Sequence, residues 1–260
     1  MEMIRRIVRV GNSAGIVLPK EWYGGEAKVE LIKKPISIEE DILKILKPYL
    51  SDILGVYLVG SYARNEQTRE SDVDVLIITN SINKKIVDRK YNILMITLGL
   101  LKEKLDKSAL PILPMIKEAR PIINSELIRK YKEKAKLTKR NTKPIIDLAK
   151  SSLGIVKASI DLDKEWPSNS GDAAAYSLVL HIRSIYLANC LRKNKEWSSR
   201  GLKSIIKSVS GSLKAYEGYL RVKNNKKIKE ELPIDEAGKL YDYLKKEVER
   251  AERWLKEKKG

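Results

Sequence analysis

The sequence predicts an α+β chain in three segments: a small N-terminal β unit (residues 1–36), a central mixed sheet with helices behind it (37–137), and a C-terminal α-helical bundle (138–260). Three observations carry this. Residues 1–34 alternate apolar and polar side chains in short runs. The centre holds apolar strand-like runs, Val56-Tyr57-Leu58-Val59, Asp72-Val73-Asp74-Val75-Leu76-Ile77-Ile78 and Tyr91-Asn92-Ile93-Leu94-Met95-Ile96-Thr97, set among stretches of helical spacing. Beyond residue 138 only helical spacing is left.

In the first segment the expected strands are Ile4–Val10, the run after Gly11-Asn12-Ser13, and Lys28-Val29-Glu30-Leu31-Ile32. About 34 residues are too few to bury an adequate core alone. In the second, Ser37-Ile38-Glu39-Glu40 is a capping-box pattern before a helix carrying Ile42, Leu43, Ile45, Leu46 and Leu50. Leu98–Leu105 reads as a helix, and Ile116–Tyr131 as another with a break near Pro121. In the third, the basic stretch Lys139–Pro144 reads as a linker into a helix, because Pro144 suits a first turn. Asp172–Leu191 reads as amphipathic, with Ala175, Leu178, Val179, Ile182, Ile185, Tyr186 and Cys190 near one side. Gly201–Arg221 and Asp235–Lys256 complete the bundle.

Gly60-Ser61-Tyr62-Ala63-Arg64 follows the first central strand, and Ser71-Asp72-Val73-Asp74 opens the second. A residue without Cβ, then a hydroxyl, then backbone N–H groups at a helix start make a cradle for phosphate. On a strand, i and i+2 share a face, so Asp72 and Asp74 point the same way. Two adjacent carboxylates repel unless a hard cation lies between them. Mg²⁺ fits, because it takes one or two protein carboxylates and completes its shell with water and phosphate oxygens.

From Leu54 to Thr79 this order of strand, Gly-Ser turn, helix, Ser-Asp-x-Asp and strand resembles the nucleotidyltransferase superfamily of DNA polymerase β and the aminoglycoside nucleotidyltransferases, in its minimal bacterial and archaeal form. The resemblance implies a nucleoside triphosphate substrate, Mg²⁺ on Asp72 and Asp74, and triphosphate held by Gly60 and Ser61. Arg64 and Ser71 lie near the same turn, where they could contact the outgoing pyrophosphate. The family puts a third carboxylate on the next strand. The aligned residue here is Asn92, whose amide cannot act as a general base at neutral pH. Asp88, four residues earlier, is the substitute if that strand begins sooner.

The run Arg9–Lys20, with Gly11-Asn12-Ser13 and Leu18-Pro19-Lys20, resembles the swapped-hairpin fold of transition-state regulators and antitoxins, in which two copies interleave. It implies a homodimer, and either DNA contact through Arg5, Arg6 and Arg9 or a dimerisation clamp alone. The order of nucleotidyltransferase then helical bundle resembles kanamycin-type enzymes and the nucleotidyltransferases partnered with HEPN domains. Toxic HEPN proteins cut RNA with an Arg, a short spacer and a His. Arg221–Lys227 holds no histidine and His181 lies on another helix, so ribonuclease activity is not expected.

Composition removes several classes. One cysteine, Cys190, and one histidine, His181, exclude an internal disulfide and a Cys- or His-rich metal site. Met1–Arg6 has no apolar leader, and no segment approaches a membrane span, so the expectation is a soluble cytoplasmic protein. The formal net charge is +18, of which residues 131–260, with 30 Lys and Arg against 17 Asp and Glu, supply +13. This suits a polyanion, or is a lysine-rich solvated helical surface. The expected activity is Mg²⁺-dependent transfer of a nucleoside monophosphate to an acceptor hydroxyl. RNA, a nucleotide or a protein suits the positive bundle better than a cationic small molecule. The rival is a dimeric DNA-binding regulator whose nucleotidyltransferase segment only senses nucleotide.

Overall fold

The computed structural model describes residues 3–32, 37–165, 172–225 and 232–257. The boundary expected after residue 36, and Lys226-Lys227 of the basic stretch, lie outside the described residues. The chain divides into two compact units, Met1–Asp41 and Ile42–Gly260.

The first unit is a hairpin of β1 (Ile7–Val10) and β2 (Ser13–Ile16), paired antiparallel with Val10 opposite Ser13. Gly11 opens its two-residue turn at φ +57°, where a side chain would be strained. A single 3-10 turn follows at Lys20–Trp22. The strand expected at 28–32 does not form. A two-stranded hairpin holds too little apolar surface to dock a third strand, and none of the described residues 3–41 is buried. Ile4, Val17 and Ile32 are 79%, 70% and 72% exposed.

Helix α1 (Ile38–Leu46) begins as its capping pattern predicts: Ser37 Oγ accepts the Glu40 N–H at 3.2 Å. The second unit is built on a five-stranded sheet of β3 (Ile53–Val59), β4 (Val73–Thr79), β5 (Lys84–Asp88), β6 (Tyr91–Thr97) and β7 (Arg120–Ile123), in the order β5-β6-β4-β3-β7. Only β4 and β6 run parallel. The one-turn helix α2 (Gly60–Ala63) links β3 towards β4, and α3 (Leu98–Lys107), α4 (Leu113–Glu118) and α5 (Ser125–Lys134) follow. Tyr57, Val59, Leu76, Ile78 and Ile96 cover one face against Leu101, Ile116 and Ile128 of those helices and Ile112 just before α4. Val73, Val75 and Ile77 alternate onto the other face and are fully buried.

Two strands depart from expectation. The hairpin partner β5 was not anticipated, and the stretch 116–131 is not one broken helix. It is α4, then the edge strand β7 carrying Pro121, then α5. Proline is tolerated at an edge, where its missing N–H costs no ladder bond. Asn124, at φ 62°, caps α5 by accepting the Leu127 N–H at 3.1 Å.

The bundle comprises α6 (Lys139–Glu165), α7 (Asp172–Arg192), α8 (Ser199–Ser210), α9 (Lys214–Lys223) and α10 (Ile234–Lys256). The basic stretch at 139–144 is the start of α6 rather than a linker. Asn141, nearly fully buried, donates to the Leu105 carbonyl at 2.8 Å and accepts the Thr138 N–H at 2.7 Å, tying the end of α3 to the start of α6. Gly211, at φ 95°, caps α8 and divides the expected single helix over 201–221 into α8 and α9. Helix α7 is packed by all four other bundle helices, and it buries Ala174, His181, Leu187 and Ala188 beyond the expected stripe. It is the central helix, which is why one amphipathic side does not describe it.

Candidate active site

Strand β3 ends at Val59, in register with Asp74 of β4. The chain then turns through Gly60 at φ +71° into α2. A Cβ at Gly60 would meet the Asp74 carboxylate, so glycine answers both a conformational and a spatial demand. Asp72 stands just before β4 and Asp74 on it, two residues apart, and both line a cavity of about 510 Å³. Neither carboxylate has a hydrogen-bond or ion-pair partner among the described residues. Burial, with some repulsion from Asp72 and Glu118, raises the Asp74 pKa; Lys223 and Arg183 pull against that rise.

The cavity lies between the sheet and the bundle, and its walls differ in sign. Among the described lining residues the sheet side offers Glu66, Glu70, Asp72, Asp74 and Glu118 against Arg64 alone. The bundle side offers Arg183 of α7, Lys203 of α8 and Lys223 of α9 with no carboxylate, together with Tyr216 and Tyr219.

Gly60, Ser61, Arg64, Ser71, Asp72 and Asp74 all reach this cavity. Their engagements differ from a simple cradle. The Gly60 N–H is donated to Glu118 Oε1 at 2.7 Å. Arg64 is clamped, Nε to Glu66 Oε2 at 2.9 Å and Nη1 to Glu118 Oε2 at 2.5 Å. Ser71 Oγ accepts the Thr68 N–H at 2.8 Å and so shapes the loop before Asp72. Asn92 pairs in register with Asp74 on the parallel neighbour β6, hence on the same face, but it is not among the described lining residues. Asp88 is exposed and pairs with Tyr91, so it falls on the opposite face from Asp74 and Asn92. Arg5, Arg6 and Arg9 are exposed in the first unit, with Arg9 Nε donating to the Gly11 carbonyl at 3.0 Å.

Sequence reasoning did not assign a role to Glu118, Glu66, Arg183, Lys203, Lys223, Tyr216 or Trp197. Trp197 Nε1 donates to Glu118 Oε2 at 3.2 Å. Glu66 accepts the Ser199 N–H and hydroxyl, each at 3.1 Å. Despite the cost of burial, Arg64 and Ser199 hold the Glu66 carboxyl below its usual range. Tertiary packing alone brings these residues together. The one available signal was Arg183 and Lys223 on helices of the most basic segment. His181 is buried, which pushes its pKa down, and it is not among the lining residues.

Residues 39–161 match the family model of the nucleotidyltransferase domain. The match takes in the central segment and the start of the bundle, and makes that stretch similar to the family. Over 52 residues the chain is 35% identical to a Methanocaldococcus jannaschii protein named "Putative protein adenylyltransferase". The match covers 20% of this chain, and the chain spans about a third (35%) of that relative's length. Two crystal structures are similar in part. One is a nucleotidyltransferase-like protein from Exiguobacterium sibiricum 255-15, at 12% identity and a TM-score of 0.38, over 82% of this chain and 75% of that one. The other is a spectinomycin adenyltransferase from Enterococcus faecialis with ATP and spectinomycin, at 16% identity and a TM-score of 0.47, over 81% and 97%. No helix among the described residues is long and apolar enough to cross a membrane.

Proposed function

We propose that the protein transfers a nucleoside monophosphate from a nucleoside triphosphate to an acceptor hydroxyl, with Mg²⁺ held by Asp72 and Asp74. The observation that carries this is the unpartnered, half-buried Asp74 carboxylate beside Asp72, at the mouth of a turn that only glycine can make. A half-buried carboxylate with no donor, next to a second carboxylate, favours a cation. The described residues hold no cluster of three or more His, Cys, Asp or Glu, so the protein would contribute two carboxylates and leave the remaining positions to water and phosphate. Held by Asp72 and Asp74, Mg²⁺ would supply positive charge against the negative charge of the triphosphate.

The chain's own residues do the positioning. Ser61 and the turn it belongs to sit where a triphosphate would approach the two aspartates. Arg64 is neutralised by two carboxylates, which leaves Arg183, Lys203 and Lys223 to face the remaining phosphate charge. Tyr216 and Tyr219 offer flat surfaces to a base. The positive bundle wall favours an anionic or protein acceptor, RNA or a nucleotide included, over a cationic small molecule. Calorimetry with ATP, GTP, CTP and UTP tests this: binding should require metal and disappear when Asp72→Asn and Asp74→Asn are combined. Unchanged metal-dependent binding in that double variant would refute the site.

A second reading is favoured by Asn92. With an amide in register with Asp74, the segment would bind nucleotide without turnover, in a dimeric regulator that contacts DNA through Arg5, Arg6 and Arg9. Metal-dependent binding without pyrophosphate release from any of the four triphosphates, alongside DNA binding lost on removal of the first unit, is the outcome that reading expects.

A further inference from the structure

We infer that Glu118 is a positioning residue of the nucleotide site: its carboxylate fixes the Gly60–Ser61 turn against the helical bundle and thereby sets the geometry in which a triphosphate is held. This rests on the nucleotidyl-transfer reading above.

Glu118 is the last residue of α4, and its side chain is only 8% exposed. Its Oε1 accepts the Gly60 N–H, and its Oε2 accepts from both Arg64 Nη1 and Trp197 Nε1. The donors come from the two ends of the one-turn helix α2, Gly60 opening it and Arg64 just after it, and from the connection between α7 and α8. One buried anion therefore ties the sheet, the phosphate-side turn and the bundle together. Charge-assisted bonds of this kind are stronger than neutral ones, and each donor would be left unsatisfied if the carboxylate were lost.

Two other roles fit less well. A general base needs an oxygen free to take a proton, whereas both oxygens here already accept, one from a guanidinium. A placeholder that yields the Gly60 N–H to phosphate would have to swing away while Arg64 and Trp197 hold its other oxygen. Position in the fold supports a fixed strut. A second cavity of about 500 Å³ adjoins the first, and Arg64, Glu66, Glu118, Trp197 and Ser198 line both. The strut is thus part of the partition that bounds the nucleotide side. Glu66, gripping Arg64 from its other edge and bonded to Ser199 of α8, braces the same wall.

The test uses the full chain with Glu118→Gln, titrated with ATP, GTP, CTP and UTP in Mg²⁺, and separately with Mn²⁺ alone followed by electron paramagnetic resonance. Triphosphate binding should weaken about 10- to 100-fold, as loss of charge-assisted bonds predicts. Mn²⁺ binding at Asp72 and Asp74 should stay within about threefold, since Glu118 does not hold the metal. Trp197→Phe removes one donor and keeps the Gly60 bond, so its loss should be smaller, about 2- to 10-fold. Glu118→Gln binding triphosphate like wild type overturns the inference. So does a parallel loss of Mn²⁺ and triphosphate with a collapsed melting transition, because that marks a merely structural residue. If wild type binds none of the four triphosphates with metal, the nucleotidyl-transfer reading falls, and the inference with it; the wild-type titration separates that case from the others.

Discussion

A Cβ placed on Gly60 would lie 2.4 Å from Oδ2 of Asp74. The turn and the metal-side carboxylate are therefore fitted to each other, and Gly60 also needs φ +71°. Gly60→Ala should incur about 1–2 kcal/mol of left-handed backbone strain and push Asp74 aside. Metal-dependent triphosphate binding should fall at least about tenfold, the equivalent of 1.4 kcal/mol. Calorimetry of the variant against wild type decides it, and equal affinities would show that the close approach has no bearing on the site.

Asp74 gives a stability test that needs no substrate. Burial raises its folded-state pKa above 3.8, so between that value and the raised one the folded protein binds more protons than the unfolded chain. Stability then falls as pH rises through that window, and at neutral pH the ionised carboxylate is a liability unless a cation compensates. In metal-free buffer at pH 7, Asp74→Asn should melt at a higher temperature than wild type, and the gain should shrink as pH approaches 3.8. Added Mg²⁺ should raise the melting temperature of wild type more than that of the variant. A lower melting temperature for Asp74→Asn at pH 7 would mean that Asp74 already has a stabilising partner.

Much of the fold can be read from local pattern, and the unread parts have physical reasons. The runs at 56–59, 73–78 and 91–97 are apolar and β-branched, and they are strands because nothing competes with that pattern. Strand β5, Lys84-Lys85-Ile86-Val87-Asp88, is an edge strand with mostly exposed side chains. It turns through Arg89 at φ 52° rather than through an Asn-Gly pair, so neither core periodicity nor turn chemistry announces it. Pro121 signals a break but not an edge strand. At the site, the Gly-Ser turn and the Asp-x-Asp are contiguous and therefore visible. Glu118, Trp197 and Arg183 are 44, 123 and 109 residues beyond Asp74 and meet it only through packing of α4 and of the bundle on the sheet.

The first unit should associate with a second copy of itself. Its hairpin has no buried residue among those described, while Ile4, Val17 and Ile32 are more than two-thirds exposed. Self-association would cover this surface, at roughly 25 cal/mol for each Å² of apolar area removed from water. Light scattering at micromolar concentration should give a dimer for the full chain and a monomer for a chain starting at Ser37. A full-length monomer, or an equally dimeric shortened chain, would rule out this interface.

Asn92 and Asp88 make rival claims to the place of a third carboxylate, and register separates them. Asn92 is opposite Asp74 on the parallel neighbour, on the same face of the sheet. Asp88 is opposite Tyr91 across the β5–β6 hairpin, exposed and on the other face. Asp88→Asn should therefore leave pyrophosphate release within about twofold of wild type, as expected for a surface change away from the reacting groups. Asn92→Asp should place a carboxylate beside Asp74, where a general base typically contributes about 10²–10⁴-fold. A rate increase of even tenfold in label transfer from an α-labelled triphosphate to added RNA, or to the protein itself, would support that register. The added charge has a cost: with Asp72 and Asp74 already repelling each other, Asn92→Asp should lower the melting temperature of the metal-free protein and regain it in Mg²⁺. If Asp88→Asn abolishes transfer while Asn92→Asp changes neither rate nor melting temperature, the third group belongs to the hairpin turn and the face assignment of β6 is wrong.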